Sequence, residues 1–434
     1  MKKLSFVFDW IGPKGPVRNG EIPDIVDLAR SHIGYNIHNS QSRLPNPIIH
    51  TIFRDSNNIH CDVYSSYNLP DHTFLYELST LECSNFYSLF NDRTGFISNF
   101  NDKYISNTVL NSIKLKKGYY VISNPYESFM DDNVLTFIQN YFKNKNIPLS
   151  QVIYATCSPN ANDIYLSYCQ RHELIPEMKC EFIPIYASNY ASQFKNSSDT
   201  ELTYTPGYRN KDFLCFNRRY RNHRLLFGLM LEKYNLLDRC SFSLDKNQPE
   251  VGRDFIEFVN GIRNIDMSKL EINDEIINSL YNKLPLILDT SDFTNINMME
   301  STSIITNLYK DSLIHIISET NFFTPIIHQT EKTIKPIINL QPFIILGSRF
   351  SLKSIKDMGF KTFDKFWDES YDDEVDDSLR LIKITELCKT ISEWSPERKI
   401  EFTHEVKEII DYNYNHLIHG RLIELDKWIE KYGN

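Results

Sequence analysis

The fold of this chain is decided by two neighbouring segments, TEKTIKP at residues 330–336 and PFIILG at residues 342–347. The first is typical of a polar loop that opens a helix, and the second of a buried strand that ends at a glycine. The largely apolar run LIHII at residues 313–317 predicts another strand just before them. Because a strand, a helix and a strand in this order form a parallel pair, both strands are predicted to end at one edge of a sheet.

That edge of an open α/β sheet is where nucleotides bind. Glu319 follows the strand predicted at residues 313–317, and Lys332 lies in the first turn of the predicted helix, where a lysine suits a phosphate group. The alternative is a plain helix cap, with Thr330 as the N-cap residue and Glu331 and Lys332 as solvated charges. The flanking strand ends favour a ligand site, in which Lys332 neutralises a diphosphate and Glu331 binds ribose hydroxyls.

A second candidate is the basic segment NRRYRNHR at residues 217–224, which follows a strand predicted at residues 213–216 and opens a helix. Positive side chains at a helix N-terminus oppose the helix dipole and cost stability unless an anion binds there. We therefore predict that Arg218 or Arg219 binds an anion, against the alternative of a solvated helix start. The remaining charged residues are predicted to lie at the surface or between domains: Arg221, His223 and Arg224.

Acidic residues elsewhere are further candidates. Glu127 follows a strand predicted at residues 119–123 and is a candidate general base, against the alternative of a structural role. Asp9 and His172 are candidates with the same alternative. The acidic run at residues 364–377 could hold a metal ion. Runs of this kind are usually solvated loops or helix caps, and we predict such a role here.

Composition and charge narrow the class of protein. The chain has 434 residues, of which 41% are apolar and 24% charged, as in a globular protein of more than one domain. Its net charge of −9 argues against nucleic acid or an anionic membrane as a partner. No apolar segment reaches the roughly 20 residues that span a bilayer or resembles a secretory signal, so a cytoplasmic protein is predicted. The eight cysteines lack a CxxC pair and are predicted to be reduced core residues, without a metal site.

The order of the predicted elements indicates two α/β domains. Strands and helices alternate twice along the chain, and the predicted strands include residues 179–186 and 284–288. Residues 189–210 are rich in Ser, Asn, Thr and Tyr and are predicted to be a linker. The predicted organisation is an N-terminal α/β domain (1–188), the linker (189–210), a second α/β domain (211–380) and C-terminal helices that brace the domains (381–434).

The candidate segments resemble a known group of enzymes. Three segments resemble the donor-binding region of α-1,3-fucosyltransferase-like glycosyltransferases: ISET (317–320), TEK (330–332) and PFIILG (342–347). Three further segments are similar to glycosyltransferase-like proteins of phages and bacterial polysaccharide clusters: NRR (217–219), GFKTF (359–363) and DESYD (368–372). All of these segments lie within the predicted second domain.

The resemblance implies a GT-B fold, in which two Rossmann-like domains face each other across a cleft. The C-terminal domain would bind a nucleotide sugar and the N-terminal domain the acceptor. Lys332 and an arginine would hold the diphosphate, Glu331 the ribose, and Glu319 would border the donor sugar. The predicted donor site is Arg218, Arg219, Thr330, Glu331, Lys332, Lys335 and Gly347, and the predicted catalytic residues are Glu127 and Glu319. This chain has Thr320 where the family has asparagine, and it lacks the family's tyrosine before Thr330, which leaves the sugar open.

Two functions follow from these features. The first is a glycosyltransferase that moves a sugar from a nucleoside-diphosphate sugar to an acceptor hydroxyl, with no cofactor besides that donor. Because the chain lacks a clear Asp-x-Asp motif, cationic side chains are expected to act on the leaving diphosphate in place of a metal ion. The second is a non-catalytic factor, phage or defence related, that keeps the fold and binds a nucleotide, a glycan or a protein. A lipid-linked glycan, a protein side chain and a DNA base are all possible acceptors. The net charge of −9 makes DNA the least favoured of these, and a basic cleft around residues 218–224 would weaken that argument.

Overall fold

The structure, a computed structural model, describes residues 4–8, 11–12, 15–16, 61–65, 69–79, 107–124, 130–196, 203–217, 221–248, 253–262, 268–288, 306–420 and 425–433. The chain divides into two compact units, Met1–Gln193 with Arg421–Asn434, and Phe194–Gly420. These units are groups of residues in mutual contact. The domain limits predicted at residues 188, 210 and 380 stay a prediction.

The first unit is built on a parallel sheet. Its strands are β1 (Leu4–Phe8), a short antiparallel pair β2 (Ile11–Gly12) and β3 (Gly15–Pro16), β4 (Cys61–Ser65), β5 (Phe74–Ser79), β6 (Gly118–Asn124), β7 (Val152–Thr156) and β8 (Lys179–Phe182). The sheet has six parallel strands in the order β4-β1-β5-β6-β7-β8. All residues of β7 are buried, as expected for a parallel strand that is covered on both faces.

Helices follow the strands of this sheet. They are α1 (Asn107–Lys114), α2 (Asp132–Asn144), α3 (Ala161–Arg171) and α4 (Ile185–Asn196). Asp131 caps α2, since its carboxylate accepts the N–H groups of Asn133 at 2.9 Å and Val134 at 3.0 Å. The strand predicted at residues 179–186 ends at Phe182. Helix α4 includes residues 189–196, which are the first part of the predicted linker. The side chain of Tyr190 in this part is buried.

The second unit has a parallel sheet of its own. Its strands are β9 (Lys211–Cys215), β10 (Cys240–Phe242), an antiparallel pair β11 (Asn247–Gln248) and β12 (Arg253–Asp254), β13 (Ser312–Ser318) and β14 (Phe343–Leu346). The order in the sheet is β10-β9-β13-β14, and every pair in it is parallel. Every residue of β13 and β14 is buried, so these strands form the centre of the core.

The helices of the second unit are α5 (Asn222–Lys233), α6 (Phe255–Ile262), α7 (Asp274–Lys283), α8 (Thr306–Asp311), α9 (Glu331–Ile338), α10 (Ser351–Asp357), α11 (Asp377–Ser392), α12 (Pro396–Glu405) and α13 (Lys407–His419). A further helix, α14 (Leu425–Tyr432), belongs to the first unit. There Trp428 and Tyr432 join the core that contains Leu4 and Phe6 of β1.

These elements confirm the predicted α/β class with parallel sheets and C-terminal helices. One predicted strand is wrong. In residues 284–288 only Leu286 pairs, through an isolated antiparallel bridge to Leu244. Pro285 lacks the N–H group that a continuous ladder requires, so the apolar run does not extend the sheet.

The cysteines whose burial the structure describes are core residues, as predicted. They are buried and form no disulfide: Cys157, Cys169, Cys180, Cys215, Cys240 and Cys388. Within the described part of the chain, no helix combines the length and the apolar character required to cross a bilayer.

Candidate functional site

The strand order of the second unit marks one edge of its sheet. From β9 the chain moves to β10 on one side and later returns to β13 and β14 on the other. The order therefore reverses between β9 and β13. In open parallel sheets ligands bind outside the carboxyl ends of the strands at this point. Asn217 follows β9 there, and Glu319 follows β13.

Glu319 is held at this point by four hydrogen bonds to its carboxylate. The residue is 3% exposed. Oε1 accepts the N–H of Thr330 at 3.1 Å and the hydroxyl of Thr333 at 2.5 Å. Oε2 accepts the N–H of Thr320 at 3.1 Å and the hydroxyl of Thr330 at 2.8 Å. The carboxylate therefore ties the end of β13 to the first turn of α9.

The first turn of α9 carries the predicted diphosphate ligand, Lys332. Thr330 is the N-cap residue, and its Oγ1 accepts the N–H of Lys332 at 3.2 Å. The same oxygen lies 3.2 Å from Nζ of Lys332, and Oε1 of Glu331 lies 3.1 Å from that Nζ. The Lys332 side chain is 28% exposed, so its ammonium group has contacts within the protein and access to solvent. An accessible ammonium group at a helix N-terminus favours an anion.

Glu331 is kept ionised by the two lysines of α9. Its side chain is 18% exposed, and burial by itself raises the pKa of a carboxyl group. The charges of Lys332 and Lys335 and a hydrogen bond from Lys332 outweigh burial, so the pKa of Glu331 is lowered. An ionised carboxylate at this place can accept hydrogen bonds from hydroxyl groups.

His223 and Arg224 are buried, so the prediction that they lie at the surface or between domains is wrong. Nε2 of His223 lies 2.9 Å from the carbonyl oxygen of Glu319. The guanidinium of Arg224 donates to the carbonyl oxygens of Ser318 at 3.2 Å and Glu319 at 3.3 Å. Burial, together with the charge of Arg224, lowers the pKa of His223 well below its usual value. The ring is therefore neutral, and its Nε2–H donates to the carbonyl group.

The loop between β13 and α9 is packed against helices α5 and α11. The ring of Phe322 stacks on His223 of α5, with centroids 5.5 Å apart and 14° between the planes. The guanidinium of Arg380 in α11 lies 4.3 Å from the centre of the Phe322 ring and donates to the Phe322 carbonyl at 2.7 Å. These contacts fix the path of the chain as it leaves Glu319.

Gly347 ends β14 and is required by packing. A Cβ atom there would lie 2.8 Å from Oγ and 3.2 Å from Cβ of Ser351. Ser351 is the first residue of α10, and its hydroxyl donates to the carbonyl of Ser348 at 2.6 Å. The glycine thus lets α10 approach the end of the strand. The contact of Gly347 with a nucleotide-sugar donor stays a prediction.

The acidic run has the cap and loop roles that we predict from the sequence. The Asp372 carboxylate accepts the N–H groups of Leu352 and Lys353, each at 2.8 Å, and so caps α10. Burial raises the pKa of Asp372 to about 6. Glu369 forms an ion pair with Lys356 at 2.9 Å. Among the described residues, no group of three or more His, Cys, Asp or Glu side chains is arranged to hold a metal ion.

The predicted site residues fall into two sets. The structure brings together Glu319, Thr330, Glu331, Lys332 and Lys335 around the first turn of α9. Glu127, Arg218 and Arg219 lie outside the described residues, as does Asp9, and their roles stay predictions. His172 is exposed and pairs with Asp132 at 2.9 Å, in agreement with a structural role.

Three further residues shape this site and are not among the predicted site residues: His223, Arg224 and Thr333. The spacing of Thr330 and Thr333 is a usable signal, because residues three apart share one side of a helical turn and can meet one partner. No local signal exists for His223 and Arg224, since their partners are carbonyl groups far along the chain.

The comparisons with known proteins add little to this geometry. No protein-family model matches the chain, and no curated protein sequence does either. Among solved structures, the chain is similar to the crystal structure of UDP-GlcNAc 2-epimerase from Neisseria meningitidis bound to UDP-GlcNAc. The identity is 10% and the TM-score 0.30, over 95% of this chain and 99% of the other. A likeness of this size supports no conclusion about function.

Proposed function

We propose that this protein is a glycosyltransferase that moves a sugar from a nucleoside-diphosphate sugar to an acceptor hydroxyl. The observation that carries the proposal is the first turn of α9, beside the reversal of strand order between β9 and β13. There Lys332 presents a partly exposed ammonium group next to the ionised Glu331. A cation at a helix N-terminus suits a diphosphate, and a neighbouring carboxylate suits the hydroxyls of a ribose.

In the proposed reaction an acceptor hydroxyl oxygen attacks the anomeric carbon of the donor sugar. A new C–O bond forms, the bond from that carbon to the diphosphate breaks, and its electron pair leaves with the diphosphate. Lys332, with Arg218 or Arg219, stabilises the charge that develops on the leaving group, so the reaction is proposed to need no metal ion. A carboxylate of the N-terminal half, proposed to be Glu127, takes the proton of the hydroxyl.

The first test removes the ammonium group. We expect Lys332→Ala to weaken the binding of a nucleoside diphosphate by roughly tenfold to a hundredfold, because a hydrogen bond to a charged group is lost. Titration calorimetry with UDP, GDP, CDP and dTDP measures this effect. Lys389→Ala is the matched control, since Lys389 lies in the last turn of α11 with its Nζ 5.6 Å from the centre of the Tyr234 ring. Equal affinity in the wild type and in Lys332→Ala would contradict the site.

The second test separates a transferase from a binding factor. We expect the wild type to release free nucleoside diphosphate from one member of a panel of nucleotide sugars, and to release it faster when a mixture of hydroxyl acceptors is added. Binding without release for every donor and acceptor would favour the non-catalytic factor. No binding of any nucleotide would contradict the proposed function.

A further inference from the structure

Glu319 lies where a catalytic carboxylate is expected, but its oxygens are already in use. Both accept two hydrogen bonds, and the residue is 3% exposed. A proton taken from a substrate would break bonds that stabilise a buried charge. We propose that Glu319 is a positioning residue that fixes Lys332 for the diphosphate. This inference rests on the function proposed above.

The backbone of Glu319 is a fixed support. Its carbonyl oxygen accepts the Nε2–H of His223 and the guanidinium of Arg224, both buried at the start of α5. The next part of the chain is held as well, because Phe322 stacks on His223 and lies against Arg380. Two helices therefore set where the end of β13 places the carboxylate.

Thr330 connects Glu319 to Lys332 through hydrogen bonds. A carboxylate can only accept hydrogen bonds, so the single hydroxyl proton of Thr330 is directed to Oε2 of Glu319, at 2.8 Å. The lone pairs of that hydroxyl are then free for the N–H and the Nζ of Lys332, each at 3.2 Å. Because the N–H and the ammonium group of Lys332 can only donate, Thr330 is the acceptor toward the lysine, and Glu319 takes the one proton that Thr330 donates.

Thr333 offers a way to disturb this arrangement without touching a ligand. Its hydroxyl donates to Oε1 of Glu319 at 2.5 Å, and the residue is 1% exposed. Valine keeps the shape of the side chain and removes the hydroxyl, whereas serine keeps the hydroxyl. Thr385→Val is the matched control, because it removes a buried hydroxyl that bonds the Leu381 carbonyl at 2.9 Å inside α11.

The first measurement needs no ligand. We expect Thr333→Val to speed amide hydrogen exchange in the first turn of α9 by about tenfold, because one of the bonds that hold this turn is lost. Thr333→Ser is expected to restore slow exchange, and Thr385→Val to leave this turn unchanged. Wild-type exchange rates in Thr333→Val would overturn the inference.

The second measurement is a double-mutant cycle on the affinity for UDP and GDP. We expect Thr333→Val to weaken binding about fivefold in the wild type and not at all in Lys332→Ala, because both changes act on one ammonium group. Equal weakening in both backgrounds would overturn the inference. So would a Glu319→Gln variant with lower kcat and unchanged nucleotide affinity, since that is the behaviour of a catalytic residue. If the wild type binds no nucleoside diphosphate, the proposed function fails, and the exchange measurement still decides whether Glu319 holds α9.

Discussion

Gly347 leaves no room for a side chain at the end of β14. An added Cβ would meet Oγ of Ser351 at 2.8 Å, and moving that oxygen would break its hydrogen bond to the Ser348 carbonyl. We expect Gly347→Ala to lower the free energy of unfolding of the second unit by about 1–3 kcal/mol, measured by urea denaturation. The same change is expected to cost less in a Ser351→Ala background, where the clashing oxygen is absent. An equal cost in both backgrounds would contradict this explanation.

The residues of the TEK segment show how far single positions can be read from sequence. Their types point to an anion site at a helix N-terminus, and the structure places Lys332 and Glu331 there with partial exposure. The same pattern does not separate a ligand residue from a supporting one. Glu319 and Thr330 are buried and bond each other, because β13 ends directly against α9. That separation depends on tertiary packing, which no spacing in the sequence encodes.

At the scale of elements, the capping of α10 makes stability depend on pH. Burial raises the pKa of Asp372 to about 6, whereas an aspartate in an unfolded chain titrates near 4. The folded state therefore binds this proton more tightly, so its contribution is fully present below about pH 4 and is lost as the pH rises through about 6. The Asp372→Asn variant has no carboxyl group at this position and therefore does not bind or release this proton. We expect the wild type to lose about 2 kcal/mol of unfolding free energy relative to Asp372→Asn between pH 4 and pH 7.

Urea denaturation of both proteins across this range measures the difference. Comparison with the variant is needed because other carboxyl groups have lowered pKa values, among them Glu374 and Asp376, and these act in the opposite direction. A constant difference across the range would show that Asp372 titrates as in the unfolded chain.

Elements with strong local signals were predictable, and those without were not. The strand predicted at residues 313–317 is β13 with one residue added at each end, because a buried run between two turns has few alternatives. Helix α9 begins where the Thr330 cap predicts. The apolar run at residues 284–288 gives the same signal and is no strand, since Pro285 interrupts the donors of a ladder. The polar composition of residues 189–196 did not indicate a helix, yet α4 runs to Asn196, and Tyr190 and Ala191 in it are buried.

At the scale of the whole molecule, α14 gives the first unit part of its core. Trp428 is buried beside β1, and the hydroxyl of Tyr432 donates to Glu181 of β8 at 2.6 Å. We expect Trp428→Ala to destabilise the first unit by about 3–5 kcal/mol and to leave the second unit unchanged. Hydrogen exchange with mass spectrometry checks this, since peptides of β6 and β7 should lose protection while those of β13 and β14 keep it. Equal loss in both units would contradict the division of the chain.

The placement of α14 also has a consequence for how the first unit folds during synthesis. Residues 425–432 are synthesised after all of Phe194–Gly420, yet the side chains of Trp428 and Tyr432 pack with β1, which is synthesised long before them. The core of the first unit therefore stays incomplete until Trp428 and Tyr432 have been synthesised, whereas the second unit is built from Phe194–Gly420. The first unit therefore cannot be completed in the N-terminal-first order usual for multidomain chains. Until α14 is added, the cluster that contains Leu4 and Phe6 lacks the side chains of Trp428 and Tyr432, and we expect chaperones to bind the apolar surface that these two side chains later cover.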